Sequence, residues 1–408
     1  MPLLVIRKRY KKRRMTMSKI ELVAPCNFAV EAILSREIKS LGYEISKVED
    51  GRVSFLADVE GICRSNLWLR TAERILVKVG EFEALSFEEL FEKTKSLKWH
   101  EWIPKDAEFP VAKASSIKSK LFSTSDIQAI VKKAVVESLK TKYKVQWFEE
   151  TGERYPIHVF LNKDKVALYL DTSGLSLHKR GYRELSNAAP IKETLAATMV
   201  LLTPWKADRA FIDPLCGSGT IPIEAAMIGL NMAPGLNRSF VSDKWRDITS
   251  KVWDKAKEEA RSLMRNDVEL NVQGYDIDES ALKVARINAK LAGLEDKLHF
   301  QKRDIKELSS KDRYGFIVTN PPYGERMSDQ KSVEGLYKEM GKVFSKLDTW
   351  SFYIITSYEE FERFFGRRAD KKRKLYNGMM KTDLFQFFGP KPPRPNKLES
   401  IIQDEIDK

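Results

Sequence analysis

The N-terminal part of the chain alternates between two hydrophobic patterns. Residues 20–24 form a short apolar run typical of a strand, and residues 27–41 carry apolar side chains at helical spacing. The apolar face of that helix comprises Val30, Ile33, Leu34, Ile38 and Leu41. Strands at 43–45 and 52–55, a helix at 59–69 and a strand at 74–79 follow. This order predicts a small α+β unit of ferredoxin-like type.

A second pattern begins at residue 87. It predicts a helix at 87–96, a strand at 109–114, a long helix at 125–140 and strands at 157–161 and 165–170. The basic, Ser-rich stretch 115–120 precedes the long helix and has the lysines and helix amides to contact phosphate. Its composition alone favours an ordinary solvated loop.

After Gly174 a helix at 191–202 is followed by strand and helix signals that alternate to the C-terminus. Such alternation is typical of a parallel sheet with crossover helices. Near the end, residues 374–376 and 384–388 flank Asn377-Gly378, which predicts an antiparallel hairpin. A long insertion at 227–272 contains a charged helix at 250–264. It either shapes the substrate pocket or is structural padding.

The sequence Asn320-Pro321-Pro322-Tyr323 follows the apolar run 315–319, which reads as a buried strand. The two prolines end that strand, so an amide and an aromatic ring are displayed just past its carboxyl end. Open α/β sheets bind ligands at such ends. An amide oxygen can accept hydrogens from an amino group, and a phenol ring can stack on a base. Asn-Pro-Pro alone is also an ordinary turn sequence.

Acids and glycines stand at the ends of three further strands. Asp213 ends the strand at 210–214, and Cys216-Gly217-Ser218-Gly219-Thr220 then turns the chain into a helix, where glycines allow close approach to a ligand. Asp276 ends the next strand and can accept hydrogen bonds from ribose hydroxyls. Asp304 follows the third strand and can receive an adenine amine. Each acid alone is also a candidate helix N-cap, as Asp278 is. Their common placement favours an adenosine site.

Composition narrows the classes of protein. The chain has 408 residues, 42% of them hydrophobic, and no apolar run long enough to span a membrane, so we expect a soluble globular protein of two or three domains. Cys26, Cys63 and Cys216 are too far apart to suggest a disulfide framework or zinc site, which favours a reducing cytoplasm. The net charge of +13 suits a polyanion, although seven charges come from residues 7–14.

Taken together, these motifs resemble S-adenosylmethionine-dependent methyltransferases. DPLCGSGTIPIEAA, GYDIDESALKVARINAKLAG, Asp304 and NPPYGER stand in that family's order. Residues 20–171 resemble the ferredoxin-like and THUMP modules of RNA-modifying enzymes. With SLHKRGYR before APIKETLAA, the chain is similar to bacterial THUMP-domain methyltransferases that act on guanine N2 of 23S ribosomal RNA.

The resemblance implies a cofactor site for S-adenosyl-L-methionine. Asp213 and the backbone of Gly217 and Gly219 would hold its amino-acid end, Asp276 its ribose and Asp304 its adenine amine. The remaining members of this set are Cys216, Thr220, Ile277 and Asn320. A sulfonium methyl group is already electrophilic, so neither a metal nor a covalent intermediate is implied. Cys216 as a thiolate nucleophile is the alternative to simple packing, and packing is favoured.

The resemblance also implies a catalytic set of Asn320, Pro321 and Tyr323. Asn320 Oδ1 and the Pro321 carbonyl would accept the two amine hydrogens of guanine, which favours a pyramidal nitrogen whose lone pair points at the methyl group. Tyr323 would stack on the base after it leaves its helix. The expected partner is RNA, foremost 23S ribosomal RNA, with no membrane involved.

The predicted fold class is therefore α/β. A Rossmann-like methyltransferase domain, with a mostly parallel sheet and a C-terminal antiparallel hairpin, follows α+β ferredoxin-like and THUMP domains. The expected ranges are a basic disordered extension at 1–18, a ferredoxin-like domain at 19–80, a THUMP domain at 81–172, the methyltransferase domain at 173–389 and a tail at 390–408. Met17 is an alternative translation start.

Several alternatives stay open. NPPY serves any planar amine, so guanine-N2 methylation of transfer RNA and adenine-N6 methylation of nucleic acid, including DNA, both fit. A nucleotide-dependent oxidoreductase is disfavoured because Pro222 occupies the third glycine position of the dinucleotide fingerprint. A non-catalytic RNA-binding protein is disfavoured by the intact set of Asp276, Asp304 and NPPY.

Overall fold

A computed structural model describes residues 19–183, 191–324 and 327–393 of the chain. The expected basic extension at 1–18 and residues 394–408 of the expected tail lie outside these ranges. The described chain divides into two compact units. The first comprises residues 19–183, 192–198 and 230–267, and the second comprises residues 191, 199–229 and 268–393 except for 325 and 326.

The first unit is built on a seven-stranded sheet with the order β2-β3-β1-β4-β7-β6-β5. Its strands are β1 (Ile20–Pro25), β2 (Glu44–Glu49), β3 (Arg52–Ala57), β4 (Leu76–Glu83), β5 (Val111–Ile117), β6 (Ile157–Asn162) and β7 (Lys165–Asp171). Its first helices are α1 (Glu31–Ser40), α2 (Val59–Trp68), α3 (Phe87–Lys95) and α4 (Thr124–Tyr143). Asp58 and Ser86 begin α2 and α3 by accepting hydrogen bonds from amides of the first turn.

Strand β4 belongs to both N-terminal modules. It pairs with β1 on one side and with β7 on the other, so a single sheet runs through the ferredoxin-like and THUMP segments. The expected boundary at residue 80 therefore lies inside a strand. The expectation of a solvated loop at 115–120 is wrong for its first three residues. Ser115, Ser116 and Ile117 continue β5 because they pair with Phe160, Leu161 and Asn162 of β6.

The insertion after residue 229 packs within the first unit. Its helix α7 (Ser250–Ser262) carries Glu259, whose carboxylate receives two hydrogen bonds of 2.9 and 3.0 Å from the largely buried Arg64 guanidinium. Trp245 stacks on Tyr155 with ring centroids 4.4 Å apart. This segment therefore contributes core packing to the unit that contains the THUMP segment, and its part in shaping a substrate pocket stays a prediction.

The linker motif SLHKRGYR (residues 176–183) contacts the sequence APGLNR (residues 233–238) of the insertion. Arg238 donates hydrogen bonds to the carbonyls of Ser176 and Lys179, at 2.7 and 2.9 Å. Arg180 is buried and donates to the carbonyls of Leu177 and Arg70. Burial lowers the pKa of Arg238 to about 10. Both arginines therefore hold the backbone of the linker in place.

The second unit contains a seven-stranded sheet with the order β10-β9-β8-β11-β12-β14-β13. Its strands are β8 (Phe211–Asp213), β9 (Val272–Asp276), β10 (His299–Lys302), β11 (Phe316–Thr319), β12 (Ser351–Thr356), β13 (Lys371–Asn377) and β14 (Met380–Phe387). The five strands β8 to β12 are parallel, whereas β14 pairs antiparallel with both β12 and β13. Asn377 pairs with Met380, which places Gly378 in the turn, as predicted.

The helices of the second unit follow its parallel strands. They are α6 (Thr220–Gly229), α8 (Glu279–Leu291), α9 (Met327–Phe344) and α10 (Phe361–Phe365). Helix α5 (Glu193–Leu201) precedes β8 in the chain, and only its residues 199–201 belong to this unit. An apolar core lies between the sheet and α9 and α10, with Tyr337, Phe361 and Phe385 at 0 to 2% exposure. The predicted α/β fold class, with a mostly parallel sheet and a C-terminal hairpin, is confirmed. None of the described helices is long and apolar enough to cross a membrane.

Replacing Gly181 with Ala should destabilise the first unit. Gly181 has φ of +96°, and a Cβ at this position would overlap the carbonyl oxygen of Asn237. Backbone strain and overpacking together should cost about 2–5 kcal/mol. Gly42→Ala is the matched control, because Gly42 has φ of +88° but nothing within 4 Å of the added Cβ. Urea denaturation followed by tryptophan fluorescence measures both, and equal losses would show that the contact with Asn237 does not matter.

Candidate active site

The carboxyl ends of β9, β8 and β11 lie side by side, and each carries a polar side chain. Asp276 ends β9, Asp213 ends β8, and Asn320 follows β11. Three of the four polar residues that the sequence predicted at strand ends therefore lie together at the carboxyl ends of neighbouring strands. The fourth, Asp304, follows β10, whose last residue pairs with Asp276.

The glycine loop between β8 and α6 has the backbone that its sequence predicts. Gly217 and Gly219 have φ of +51° and +81°, in the region that favours glycine. A Cβ at Gly219 would lie 3.0 Å from Ala285 and Phe300, whereas one at Gly217 would meet nothing within 4 Å. The loop is therefore packed on one side and leaves open space beside Gly217.

Asp276 helps to shape this loop. One carboxylate oxygen accepts a hydrogen bond from the Gly217 amide at 2.9 Å, and the other accepts one from the Asp278 amide at 2.9 Å. Asp278 caps α8 by accepting from the Ser280 amide, which confirms its expected role as an N-cap. On the other side of the loop, the buried Asn288 donates to the Ser218 carbonyl at 3.0 Å.

Asp213 is almost fully buried, with 1% of its surface exposed. Its Oδ1 accepts hydrogen bonds from the Thr319 hydroxyl at 2.6 Å and from the Leu215 amide at 3.2 Å. Burial raises the pKa of this carboxyl to about 7, because the charged form is desolvated. Asp213 thus connects the end of β8 with the end of β11, one residue before Asn320.

The NPPY segment has one hydrogen bond within itself and another from helix α9. The Tyr323 hydroxyl donates a hydrogen bond to Asn320 Oδ1. The hydroxyl of Tyr337, a fully buried residue of α9, donates to the Pro322 carbonyl at 2.8 Å and also lies 2.9 Å from the Thr356 hydroxyl. The amide oxygen expected to receive a base amine therefore has a hydroxyl partner in this structure.

The remaining predicted residues differ in how accessible they are. Ile277 is 62% exposed beside Asp276, and Asp304 is half-buried and accepts from the Lys306 amide at 3.0 Å. Thr220 is buried at the start of α6. Cys216 is buried, and burial raises the pKa of its thiol, so it remains a neutral thiol. This supports the packing interpretation of Cys216 over a nucleophilic one.

The described residues at this edge fit an adenosine. Open space beside Gly217, an exposed apolar Ile277 and the acceptor oxygens of Asp276 and Asp304 match the hydroxyls, the flat ring and the amine of such a ligand. Within the described part of the chain, no group of three or more His, Cys, Asp or Glu side chains is arranged to hold a metal ion.

Sequence reasoning missed three residues that position this site: Asn288, Thr319 and Tyr337. Thr319 adjoins Asn320 and could have been recognised as a polar residue at the end of an apolar strand. Tyr337 had no local signal, because only the packing of α9 against the sheet brings its hydroxyl to Pro322. Asn288 lies on the buried face of α8, where an amide needs a partner.

Comparison with known families matches this architecture over nearly the whole described chain. The RlmL ferredoxin-like domain matches residues 21–76, the THUMP domain matches residues 84–171, and the methyltransferase domain described as RMKL-like matches residues 180–386. The chain belongs to the family of proteins with an RMKL-like methyltransferase domain preceded by these two modules. The resemblance stated from the sequence motifs is thereby confirmed.

Two relatives illustrate the range of this family. YpsC of Bacillus subtilis, named as a candidate RNA methyltransferase, is 49% identical over 94% of this chain and 100% of its own length. The ribosomal RNA large subunit methyltransferase K/L of Syntrophotalea carbinolica is 34% identical over 94% of this chain. This chain spans 56% of that longer protein.

Solved structures share the fold throughout. A possible methylase from Clostridium difficile 630 is 56% identical, with a TM-score of 0.90 over 93% of this chain and all of its own. A Listeria monocytogenes protein named as a predicted N6-adenine-specific DNA methylase is 50% identical, with a TM-score of 0.88 over 91% of this chain and 97% of its own. SMU.472, a candidate methyltransferase in complex with S-adenosylhomocysteine (SAH), is 44% identical, with a TM-score of 0.88 over 93% and 100%.

Asp276→Ala should weaken SAH binding by about 1–3 kcal/mol, because it removes paired hydrogen-bond acceptors. The Ala variant also removes the hydrogen bond from the Gly217 amide, so a change in the shape of the glycine loop would lower SAH affinity as well. Asp276→Asn retains one acceptor oxygen, but its NH2 group would face the backbone amide of either Gly217 or Asp278 as a second donor, so this variant should also bind SAH more weakly. Isothermal calorimetry with SAH measures both variants, and wild-type affinity in the Ala variant would remove Asp276 from the cofactor site.

Proposed function

We propose that this protein uses S-adenosyl-L-methionine to methylate the exocyclic N2 amine of a guanine in ribosomal RNA, foremost 23S ribosomal RNA. The observation that carries the proposal is the NPPY segment, fixed beside Asp213 and the glycine loop at one edge of the sheet. The cofactor supplies an electrophilic methyl group attached to a sulfonium. Such an enzyme would act in the cytoplasm, and it requires no metal.

The cofactor assignment rests on the fit of this edge to adenosine and on the SAH complex of SMU.472. Asp276 and Asp304 offer carboxylate oxygens to the ribose and the adenine amine, and Ile277 covers a face of the ring. The backbone of Gly217 and Gly219, with Cys216 and Thr220 beside them, borders the amino-acid end. Asp213 supports this end of the site through its hydrogen bonds with the Leu215 amide and the Thr319 hydroxyl, because its carboxyl is almost fully buried.

The chain's contribution to the reaction is to orient the amine. Asn320 Oδ1 and the Pro321 carbonyl accept its two hydrogens, so the nitrogen lone pair is directed at the methyl group. The nitrogen gains the methyl group as the carbon–sulfur bond breaks, and it then releases one proton to water. The base amine replaces the Tyr323 hydroxyl as the donor to Asn320, and the Tyr323 ring stacks on the base.

RNA is favoured as the polymer by the THUMP segment and by the names of the two relatives. The ribosomal choice follows the K/L relative, which exceeds this chain in length. Adenine N6 in DNA is the second candidate, because the Listeria protein carries that name at 50% identity. Transfer RNA is the third, since the geometry of NPPY admits any planar amine.

A nucleoside-resolved assay tests the proposal. Purified enzyme with a labelled methyl donor is offered protein-free 23S ribosomal RNA, total transfer RNA and genomic DNA, each from a strain that lacks the enzyme. We expect label only in 23S RNA, as N2-methylguanosine after digestion and mass spectrometry. Label in DNA or as N6-methyladenosine would refute the guanine assignment, and label only in transfer RNA would refute the ribosomal one.

Asn320→Ala should lower kcat by roughly 10²–10³-fold, as expected for loss of a group that acts on the reacting amine. SAH affinity should change little. Tyr323→Phe should stay near the wild-type rate, because the ring is retained and the competing hydroxyl is lost. Tyr323→Ala should lose roughly tenfold or more, since base stacking contributes about 1–3 kcal/mol. Single-turnover methylation measures all three, and equal losses for Phe and Ala would rule out the stacking role.

A further inference from the structure

The hairpin β13–β14 forms the outer edge of the sheet in the second unit, and its outer strand is strongly basic. Residues 367–374 contain six arginines and lysines and a single acid, Asp370. Some of these charges are engaged in structure, since Arg367 pairs with Asp370 and Lys372 pairs with Glu362. Lys371, Lys374 and Lys381 are exposed, and within the described residues none of the three joins an ion pair.

Strand register places this hairpin beside the candidate active site. Thr319, the residue before Asn320, pairs with Ile354 of β12. Ile354 pairs with Phe385 of β14, and Phe385 pairs with Lys372 of β13. Three strand spacings separate β11 from β13, a distance of about 14 Å across the sheet. The basic edge therefore runs parallel to the strand that presents the NPPY segment.

The hairpin also extends past the catalytic edge. From the level of Lys372 it continues through Asn377 before it turns, so its tip projects about 15 Å beyond the level of Thr319. Met379 at the tip is fully exposed, and Lys381 lies opposite Tyr376. The hairpin thus carries two exposed lysines, Lys374 and Lys381, beyond the level of Thr319.

We propose that the β13–β14 hairpin binds the RNA backbone next to the target nucleotide through Lys374 and Lys381, with Lys371 further along the same edge. This inference rests on the proposed function. Lysine side chains contact phosphates without reading the base sequence. Such contacts beside the active site would help to position a flipped base. Lysines on an edge strand also prevent sheet-to-sheet aggregation, so an experiment must separate the two roles.

The test compares Lys374→Gln/Lys381→Gln with Lys311→Gln/Lys346→Gln. The control pair removes the same charge from exposed lysines that precede β11 and β12 in the chain, near the amino ends of these strands, whereas NPPY follows the carboxyl end of β11. Filter binding to a 23S RNA transcript is measured against salt concentration. The hairpin pair should bind roughly tenfold more weakly, and its slope of log affinity against log salt should be smaller by about 1.4, for two lost phosphate contacts. The control pair should match the wild type.

Further measurements fix the interpretation. Lys374→Arg/Lys381→Arg should restore both affinity and slope, because the charge is retained. Calorimetry with SAH should give wild-type affinity for every variant, which shows that the second unit is folded. If the Gln pair aggregates, each single Gln variant should show about half of the slope change.

The outcomes separate this proposal from the proposed function. Wild-type affinity and slope in the hairpin pair, or equal losses in the control pair, would overturn the hairpin proposal alone. Loss of RNA binding in the hairpin pair with no RNA methylation by any variant would support the hairpin and overturn the proposed reaction. A wild-type protein that does not bind 23S RNA would overturn both.

Discussion

A buried hydrogen bond between Thr319 and Asp213 joins the two halves of the candidate active site. Asp213 ends β8 and leads into the glycine loop, whereas Thr319 ends β11 and leads into NPPY. A polar pair without access to water must satisfy itself, so this bond fixes the relative position of two segments that are about a hundred residues apart in sequence. The raised pKa of Asp213 reflects how completely this junction excludes water. Asn288 and Tyr337, which are also buried, hold the surrounding loops by the same principle, and the partly exposed Asp276 accepts a hydrogen bond from the Gly217 amide.

The positive charge of this chain serves two purposes that composition cannot distinguish. Arg64, Arg180 and Arg238 donate to carboxylates or backbone carbonyls inside the first unit, where they organise the linker and the insertion. Lys371, Lys374 and Lys381 of the β13–β14 hairpin are exposed and join no ion pair among the described residues, whereas Lys372 pairs with Glu362. Net charge therefore overstates the surface available to a polyanion, and only strand register and burial identify where that surface lies.

The sequence predicted the order of most strands and helices, because apolar periodicity and turn residues act locally. It also predicted which side chains meet at the strand ends, since parallel strands share one carboxyl edge. It could not predict that β4 pairs with both the ferredoxin-like and the THUMP segments, because the sequence of an edge strand does not indicate which strand will pair with it. Nor could it place the insertion, whose Trp245 and Glu259 find partners only through tertiary packing.

The contact between Tyr323 and Asn320 bears on what such a site can discriminate. A half-buried amide oxygen is costly to leave without a donor, and the Tyr323 hydroxyl supplies one when no base is bound. A base that brings an amine can take over that hydrogen bond, whereas a base with a carbonyl at the same position would place two acceptors against each other. Under the proposed function, NPPY would select strongly for an amine, in the way that a polar pocket rejects a substrate lacking its partner group. It would select weakly among guanine, adenine and cytosine, so the choice among them would come from the walls of the base pocket and from the contacts that the rest of the chain makes with the RNA.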